Sequence, residues 1–266
     1  MSFKSRLAAA DILVAPGIYD ALSAHLATKA GFEALFLSGS AVSFSQLARP
    51  DIGLVTMTEM ALACERIRDR TDAYMMVDAD SGYGNAHAVT RCVRTFERVG
   101  ASGIQIEDQL NTKAIADQMA RPLVSTETMV GKLKAALDAR ISSETVISAR
   151  SDAAFTEGVD AAIERAVLYA ETGVDMVFVE GLTKRADMER LIEAIGGRVP
   201  LLYNILNPKN IDVSDPADLQ AMGYSMALFP APAITAAANA TLAALKAVKA
   251  GETPHFETPI KELIED

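Results

Sequence analysis

Eight short apolar runs, at residues 12–15, 34–37, 74–77, 103–106, 145–149, 176–179, 201–203 and 226–229, recur along this chain with helix-patterned stretches between them. Each run is nearly continuous in hydrophobicity, which suits a strand covered on both faces, as in a parallel sheet. The intervening stretches carry apolar residues at three-and-four spacing, as in Ala86, Val89, Cys92, Val93 and Phe96, or Ala161, Ala162, Arg165, Ala166 and Tyr169. Gly31, Gly100, Gly173 and Gly223 stand just ahead of four runs, where a left-handed residue ends a helix. Thr56-Met57-Thr58-Glu59 has the spacing of a helix start, and residues 233–250 read as a long last helix. Helix, glycine and buried strand, repeated eight times, predict an α/β fold, a (β/α)8 TIM barrel, as a single domain over residues 1–266 rather than an open doubly wound sheet. Gly82-Tyr83-Gly84 lacks the third glycine of a dinucleotide fingerprint and reads as a tight turn.

Half of the residues are hydrophobic and 23% are charged, enough for a large core and too apolar for disorder. The formal net charge of -10 opposes binding to nucleic acid or to an anionic membrane surface and favours a small-molecule role. An anionic substrate would then need a local positive centre, either a metal or a placed arginine. The N-terminal residues carry no apolar signal core, and no run reaches the roughly 20 residues of a bilayer span, so the expectation is a cytoplasmic protein with no membrane partner. Cys64 and Cys92 lie in helix-like runs without metal-ligand spacing and read as packing residues.

In such a barrel the chemistry sits at the C-terminal ends of the strands. The residues that follow the runs are Ser38-Gly39-Ser40, Asp78 and Asp80, Glu107 and Asp108, Arg150 and Asp152, Glu180, and Asn204. Because strand side chains alternate, Asp78 and Asp80 are expected to project together, and the repulsion between them calls for a cation or for one protonated carboxyl. A helix cap is the plainer account of one of them. Asp78, Asp80 and Glu107, from adjacent strands, could supply the hard oxygen set that Mg2+ prefers, with Mn2+ as a substitute. Arg150 could serve a substrate or simply neutralise these acids, and Ser38-Gly39-Ser40 could cradle a carboxylate or form a plain turn.

The ordered segments Pro16-Gly17-Ile18-Tyr19-Asp20-Ala21, Leu37-Ser38-Gly39-Ser40, Val77-Asp78-Ala79-Asp80-Ser81-Gly82-Tyr83-Gly84, Ile106-Glu107-Asp108-Gln109, Ala149-Arg150-Ser151-Asp152-Ala153 and Val179-Glu180-Gly181 resemble the isocitrate lyase/phosphoenolpyruvate mutase superfamily across nearly the whole chain. The resemblance implies a Mg2+-dependent barrel acting on small α-oxo or α-hydroxy carboxylates. It also implies a homo-oligomer, tetramer or dimer, in which the last helix packs on a neighbouring subunit. Position by position, Asp80 matches the direct metal ligand, while Asp78, Glu107 and Asp51 match groups that hold the metal through its waters. Ser38, Gly39 and Ser40 match the segment that binds a substrate carboxylate. Arg150 matches the arginine that steadies enolate charge, and Glu180 and Asn204 match further substrate contacts.

One departure bears on the reaction. The carbon–carbon lyases of that superfamily carry a loop thiol as general acid, and the matching stretch here is Lys113-Ala114-Ile115-Ala116-Asp117, with Ile115 at the thiol position. The loop asparagine of the phosphonate branch is missing too. An isoleucine transfers no proton, so the expected reaction is an oxaloacetate-type decarboxylation that needs no loop thiol. The alternatives are a malate- or methylisocitrate-like carbon–carbon cleavage with Lys113, Asp117 or Tyr83 as substitute acid, a C–P bond reaction, and a non-catalytic oxo-acid binding protein.

Overall fold

The computed structural model describes residues 1–110 and 121–265. Strands β1 (Leu13–Ile18), β2 (Ala34–Leu37), β3 (Tyr74–Asp78), β4 (Gly103–Glu107), β5 (Val146–Ser151), β6 (Met176–Val179), β7 (Leu201–Asn204) and β8 (Met226–Phe229) lie side by side in chain order. Every pairing is parallel, and β8 returns to β1 to close the barrel. β2, β4 and β6 are buried at every position, β2 and β6 as unbroken apolar runs and β4 with Gln105 and Glu107 among its buried residues. Helices fill the connections, and Gly31, Gly100, Gly173 and Gly223 take positive φ values of 93°, 91°, 90° and 109° ahead of their strands. The helix Met57–Arg68 begins with the reciprocal Thr56–Glu59 capping box that the sequence spells.

Strand alternation divides the core in two. Phe36, Met76, Met176, Phe178, Leu202 and Met226 pack inside the barrel, while Leu35, Val77, Ile104 and Ile147 pack outward against helix residues such as Val89, Phe96 and Tyr169. The short helix Phe3–Leu7, which no sequence pattern announced, plugs the N-terminal mouth: Phe3 is 3% exposed and stacks on Tyr74 with ring centroids 5.4 Å apart. Two residues further along each strand from the interior side chains stand Ser38, Asp78, Glu107, Arg150, Glu180 and Asn204. The alternation that fills the barrel with apolar groups thus crowns its C-terminal mouth with polar ones.

Two sequence expectations need correction. The strands run past the apolar stretches: β3, β4, β5 and β7 include Asp78, Glu107, Arg150 and Asn204, and Glu107 sits in register with Arg150. Ladder hydrogen bonds do not depend on side-chain polarity, so these polar and charged residues belong to the C-terminal ends of the strands and not to the loops. Conversely, β3 stops at Asp78. Asp80 lies in the following turn with φ 46°, so strand alternation does not set its direction relative to Asp78.

The helix Pro232–Lys249 has no buried residue, and Leu242, Leu245 and Val248 are 54%, 62% and 59% exposed. Beside its first turns, an apolar cavity of about 870 Å3 is lined by Val14, Pro16, Leu22, Leu26, Phe229 and Ala236, among others. Among the described residues no helix is long and apolar enough to cross a membrane.

The β1–β8 seam is the tightest backbone contact in the barrel wall: a Cβ on Gly17 would stand 2.1 Å from the carbonyl oxygen of Pro230. Neither partner is a flexible side-chain end, so relief requires moving a strand. Gly17→Ala is expected to destabilise the fold by about 3 kcal/mol or more, read as a lower denaturant midpoint at unchanged slope.

Candidate active site

At the C-terminal ends of the strands lies a cavity of about 340 Å3. Ser38, Ser40, Asp51, Asp78, Glu107, Gln109, Arg121, Arg150, Glu180 and Asn204 supply its polar wall; Phe44, Phe178, Leu206, Leu228 and Ile234 supply much of the apolar part. Of the sequence-predicted metal and substrate residues, all but Gly39 and Asp80 line the cavity; Asp108, Asp152 and Tyr83, also singled out in the sequence, do not.

Both exceptions have a geometric cause. Asp78 accepts the Gly39 N–H at 3.3 Å on Oδ2 and the Asp80 N–H at 3.2 Å on Oδ1. The Glu107 N–H in turn donates to the Asp80 carbonyl at 2.8 Å. Gly39 thus orients an acid rather than offering its amide to the cavity, and Asp80 is stitched by its backbone between β3 and β4. Ser38-Gly39-Ser40 is not a plain turn either. Ser38 caps the short helix Gly39–Val42 and its Oγ lies 3.0 Å from the Ser40 hydroxyl. Lys113, Ile115 and Asp117 lie outside the described residues.

Arg150 occupies the middle of the charged wall. Its Nε and Nη2 donate to Asp152 Oδ2 and Oδ1 at 3.0 and 2.9 Å, while Glu107 and Glu180 stand 3.4 and 3.5 Å from the guanidinium. Burial works against its charge, but Asp152, Glu107 and Glu180 outweigh it and hold the guanidinium well above its ordinary pKa. The ring of Phe178 lies beneath it at 5.3 Å. Asn204 donates to Glu180 Oε2 at 2.9 Å, which fixes that carboxylate beside Arg150.

Asp152 has no solvent exposure. Burial raises its pKa, yet Arg150, Arg121 and the Gln109 amide more than compensate and leave it below the usual carboxylate range. Its backbone N–H donates to Asp108 Oδ1 at 2.9 Å, and Asp108 also accepts from the Ser151 and Tyr169 hydroxyls, each at 2.8 Å. Asp108, read from the sequence as a strand-end acid, thus lies behind the cavity and buttresses the loop that carries Asp152. Tyr83 is buried outside the cavity wall; burial first, then the nearby Asp80, Cys92, Asp78 and Asp51, hold its phenol well above the ordinary pKa. Cys64 and Cys92 are buried free thiols, and burial pushes Cys64 up to about 12, so neither is poised as a nucleophile.

The donor set suits a hard cation. Asp51, Asp78 and Glu107 present carboxylate oxygens to one cavity, but among the described residues no three such groups converge closely enough to chelate an ion directly. That is the pattern Mg2+ accepts, since it keeps most of its waters and takes one or two carboxylates.

Residues 3–249 match the family model described as phosphoenolpyruvate phosphomutase. The chain belongs to that family. The 2,3-dimethylmalate lyase of Eubacterium barkeri is 38% identical over 252 residues, covering 91% of this chain and 83% of that protein. The solved structure of oxaloacetate acetylhydrolase in complex with the inhibitor 3,3-difluorooxalacetate superposes with a TM-score of 0.92 at 26% identity, covering 99% of this chain and 92% of that one. A phosphonopyruvate hydrolase complex with oxalate and Mg2+ has a TM-score of 0.86 at 26% identity, covering 99% and 94%. Phosphoenolpyruvate phosphomutase relatives with such different names share one barrel, so membership carries the architecture and leaves the substrate to the cavity wall.

Sequence reading missed Gln109, Arg121 and Phe44 as wall residues. Gln109 was within the quoted motifs, two residues beyond β4, and could have been drawn from the strand-end rule. Arg121 stands 31 positions before Asp152, and nothing in its local pattern ties the two together. Replacing the keystone tests the arrangement: Asp152→Asn leaves two arginines short of a buried counter-charge and should cost about 3 kcal/mol near neutral pH. Because the folded-state pKa of Asp152 is depressed, its contribution is present above the ordinary carboxylate value and is lost as pH falls through the folded value. The wild-type and variant stability curves, measured by denaturant unfolding from pH 7 downwards, should therefore converge in acid.

Proposed function

We propose that residues 1–266 act as one divalent-metal-dependent lyase domain that breaks a carbon–carbon bond of a small α-oxo dicarboxylate through an enolate, with oxaloacetate-type decarboxylation as the reaction. The observation that carries this reading is the single cavity in which Arg150 stands beside Asp78, Glu107 and Asp51. Asp51, Asp78 and Glu107 would hold Mg2+ or Mn2+, which would supply a Lewis acid for the substrate's C1 carboxylate and C2 carbonyl.

The remaining work falls to the chain's own groups. The hydroxyls of Ser38 and Ser40 bind a carboxylate oxygen, and Glu180 and Asn204 fix the substrate's orientation from β6 and β7. As the C3–C4 bond breaks, its electron pair moves into C2–C3 and negative charge gathers on the C2 oxygen while CO2 leaves. Arg150, permanently charged and locked by Asp152, stabilises that oxygen without having to reorganise. A proton then adds to C3 from water.

A second reading is cleavage of a substituted malate. The similarity to 2,3-dimethylmalate lyase supports it, and Phe44, Leu206, Leu228 and Ile234 give the cavity an apolar side that would accept methyl groups. An NMR time course of the purified protein with Mg2+ against oxaloacetate and 2,3-dimethylmalate decides between them. Pyruvate formed from oxaloacetate above the Mg2+-only rate is the expected result, and Arg150→Ala should lower that rate by roughly 10²–10³. No turnover of oxaloacetate together with cleavage of dimethylmalate would replace the first reading by the second.

The same proposal includes a homo-oligomer. The helix Pro232–Lys249 exposes Leu242, Leu245 and Val248 next to an apolar cavity, and a neighbour's copy of that helix is the occupant the resemblance implies. Leu245→Asp is expected to convert the assembly to a monomer in light scattering; an unchanged mass would remove this helix from the interface.

A further inference from the structure

The wall holds a second arginine that the proposed reaction does not use. After β4, residues 108–110 are tied to residues 122–124: Gln109 and Leu123 form an antiparallel bridge, with Leu110 N–H to the Pro122 carbonyl at 2.7 Å and Val124 N–H to the Asp108 carbonyl at 2.9 Å. This clasp returns Arg121 over the end of β5. There its guanidinium lies over the Phe155 ring at 4.3 Å, and its Nη1 donates to Asp152 Oδ1. Phe155 has its place because residue 181 is a glycine: a Cβ there would stand 2.9 Å from the ring.

Arg121 and Arg150 are therefore set alike, each against an aromatic face and each clipped to the one buried carboxylate of Asp152. Their charge balance differs. Arg150 has Glu107 and Glu180 as further counter-charges, whereas Asp152 is the only ion-pair partner Arg121 has among the described residues. Its side chain is 23% exposed and lines the cavity, while that of Asp152 is wholly enclosed. Arg121 is thus the less compensated cation of the wall, held by ring and backbone clasp, with guanidinium N–H groups to spare for an oxygen anion. In a protein of net charge -10 such a group draws an anion to its own side of the cavity.

We propose that Arg121 determines substrate class by binding the distal carboxylate, the one beyond the bond that breaks, so that the site prefers dicarboxylates to monocarboxylates. This rests on the lyase reading above, in which the first carboxylate sits with the metal at the Asp78 side. The two can be separated with two probes measured by calorimetry in the presence of Mg2+. Oxalate is short enough to occupy the metal side alone. 3,3-Difluorooxaloacetate carries the distal carboxylate as well.

Arg121→Met keeps an unbranched apolar stem on the Phe155 side but removes the guanidinium and its charge. It should leave oxalate affinity within about twofold while weakening difluorooxaloacetate by at least about tenfold, and Arg121→Lys should recover part of that loss. Bound oxalate serves as the check that the variant is folded. Equal affinity of wild type and Arg121→Met for difluorooxaloacetate overturns the assignment. A parallel loss of both probes overturns it too, because Arg121 would then act only by positioning Asp152 and Arg150. Failure of wild type to bind Mg2+ and oxalate at all would refute the lyase reading itself.

Discussion

A carboxylate sealed from water stays ionised only if cations and donors reach it, and Asp152 meets that condition with two arginines, a glutamine amide and a backbone held by Asp108. The candidate site depends on this one charge. Arg150 is fixed as a fork rather than left to wander among three acids, and the loop after β5 is bound to the loop after β4. Glu107 and Glu180 can approach the guanidinium without neutralising it because its geometry is already taken by Asp152. The network has a cost in desolvation, and what it secures is orientation: a charged group that need not move when charge develops on a substrate.

The placement of that network follows from parity. A barrel built of parallel strands turns alternate residues inward, and the same alternation that puts Met76, Ser148 and Phe178 inside puts Asp78, Arg150 and Glu180 at the mouth. No special local structure is needed to gather acids and arginine from four strands. The sheet itself does so, and the buried interior below them is closed at the far end by Phe3.

Most of this architecture is legible in the sequence because parallel strands covered on both faces have few alternatives to unbroken apolar runs. The strand ends were less legible. Arg150 and Glu107 belong to β5 and β4, yet charge hides the strand when hydrophobicity is the only signal. The first apolar run ends at residue 15, whereas β1 continues through Pro16 and Gly17 to Ile18, and the Pro230 carbonyl leaves no room for a Cβ at residue 17. Asp78 and Asp80 look alike on paper. The structure makes one a wall residue and the other the pivot of a turn with φ 46°, a difference that backbone conformation decides and spacing does not. Arg121 shows a further limit: its partners Asp152 and Phe155 lie on the next strand connection, and only the Gln109–Leu123 bridge brings them together.

The Gly17–Pro230 seam has a consequence for how the molecule is made. It joins the first strand of the barrel to the last, the most distant pairing in the chain, and loop-closure entropy opposes it until nearly everything between has been ordered. The helix Pro232–Lys249 starts immediately beyond that seam. A nascent chain that has not yet closed its barrel has no fixed platform from which to present this helix. In the proposed oligomer, closure of the barrel would in this way act as a checkpoint for contact between molecules, because half-folded chains would lack the geometry with which finished ones recognise each other.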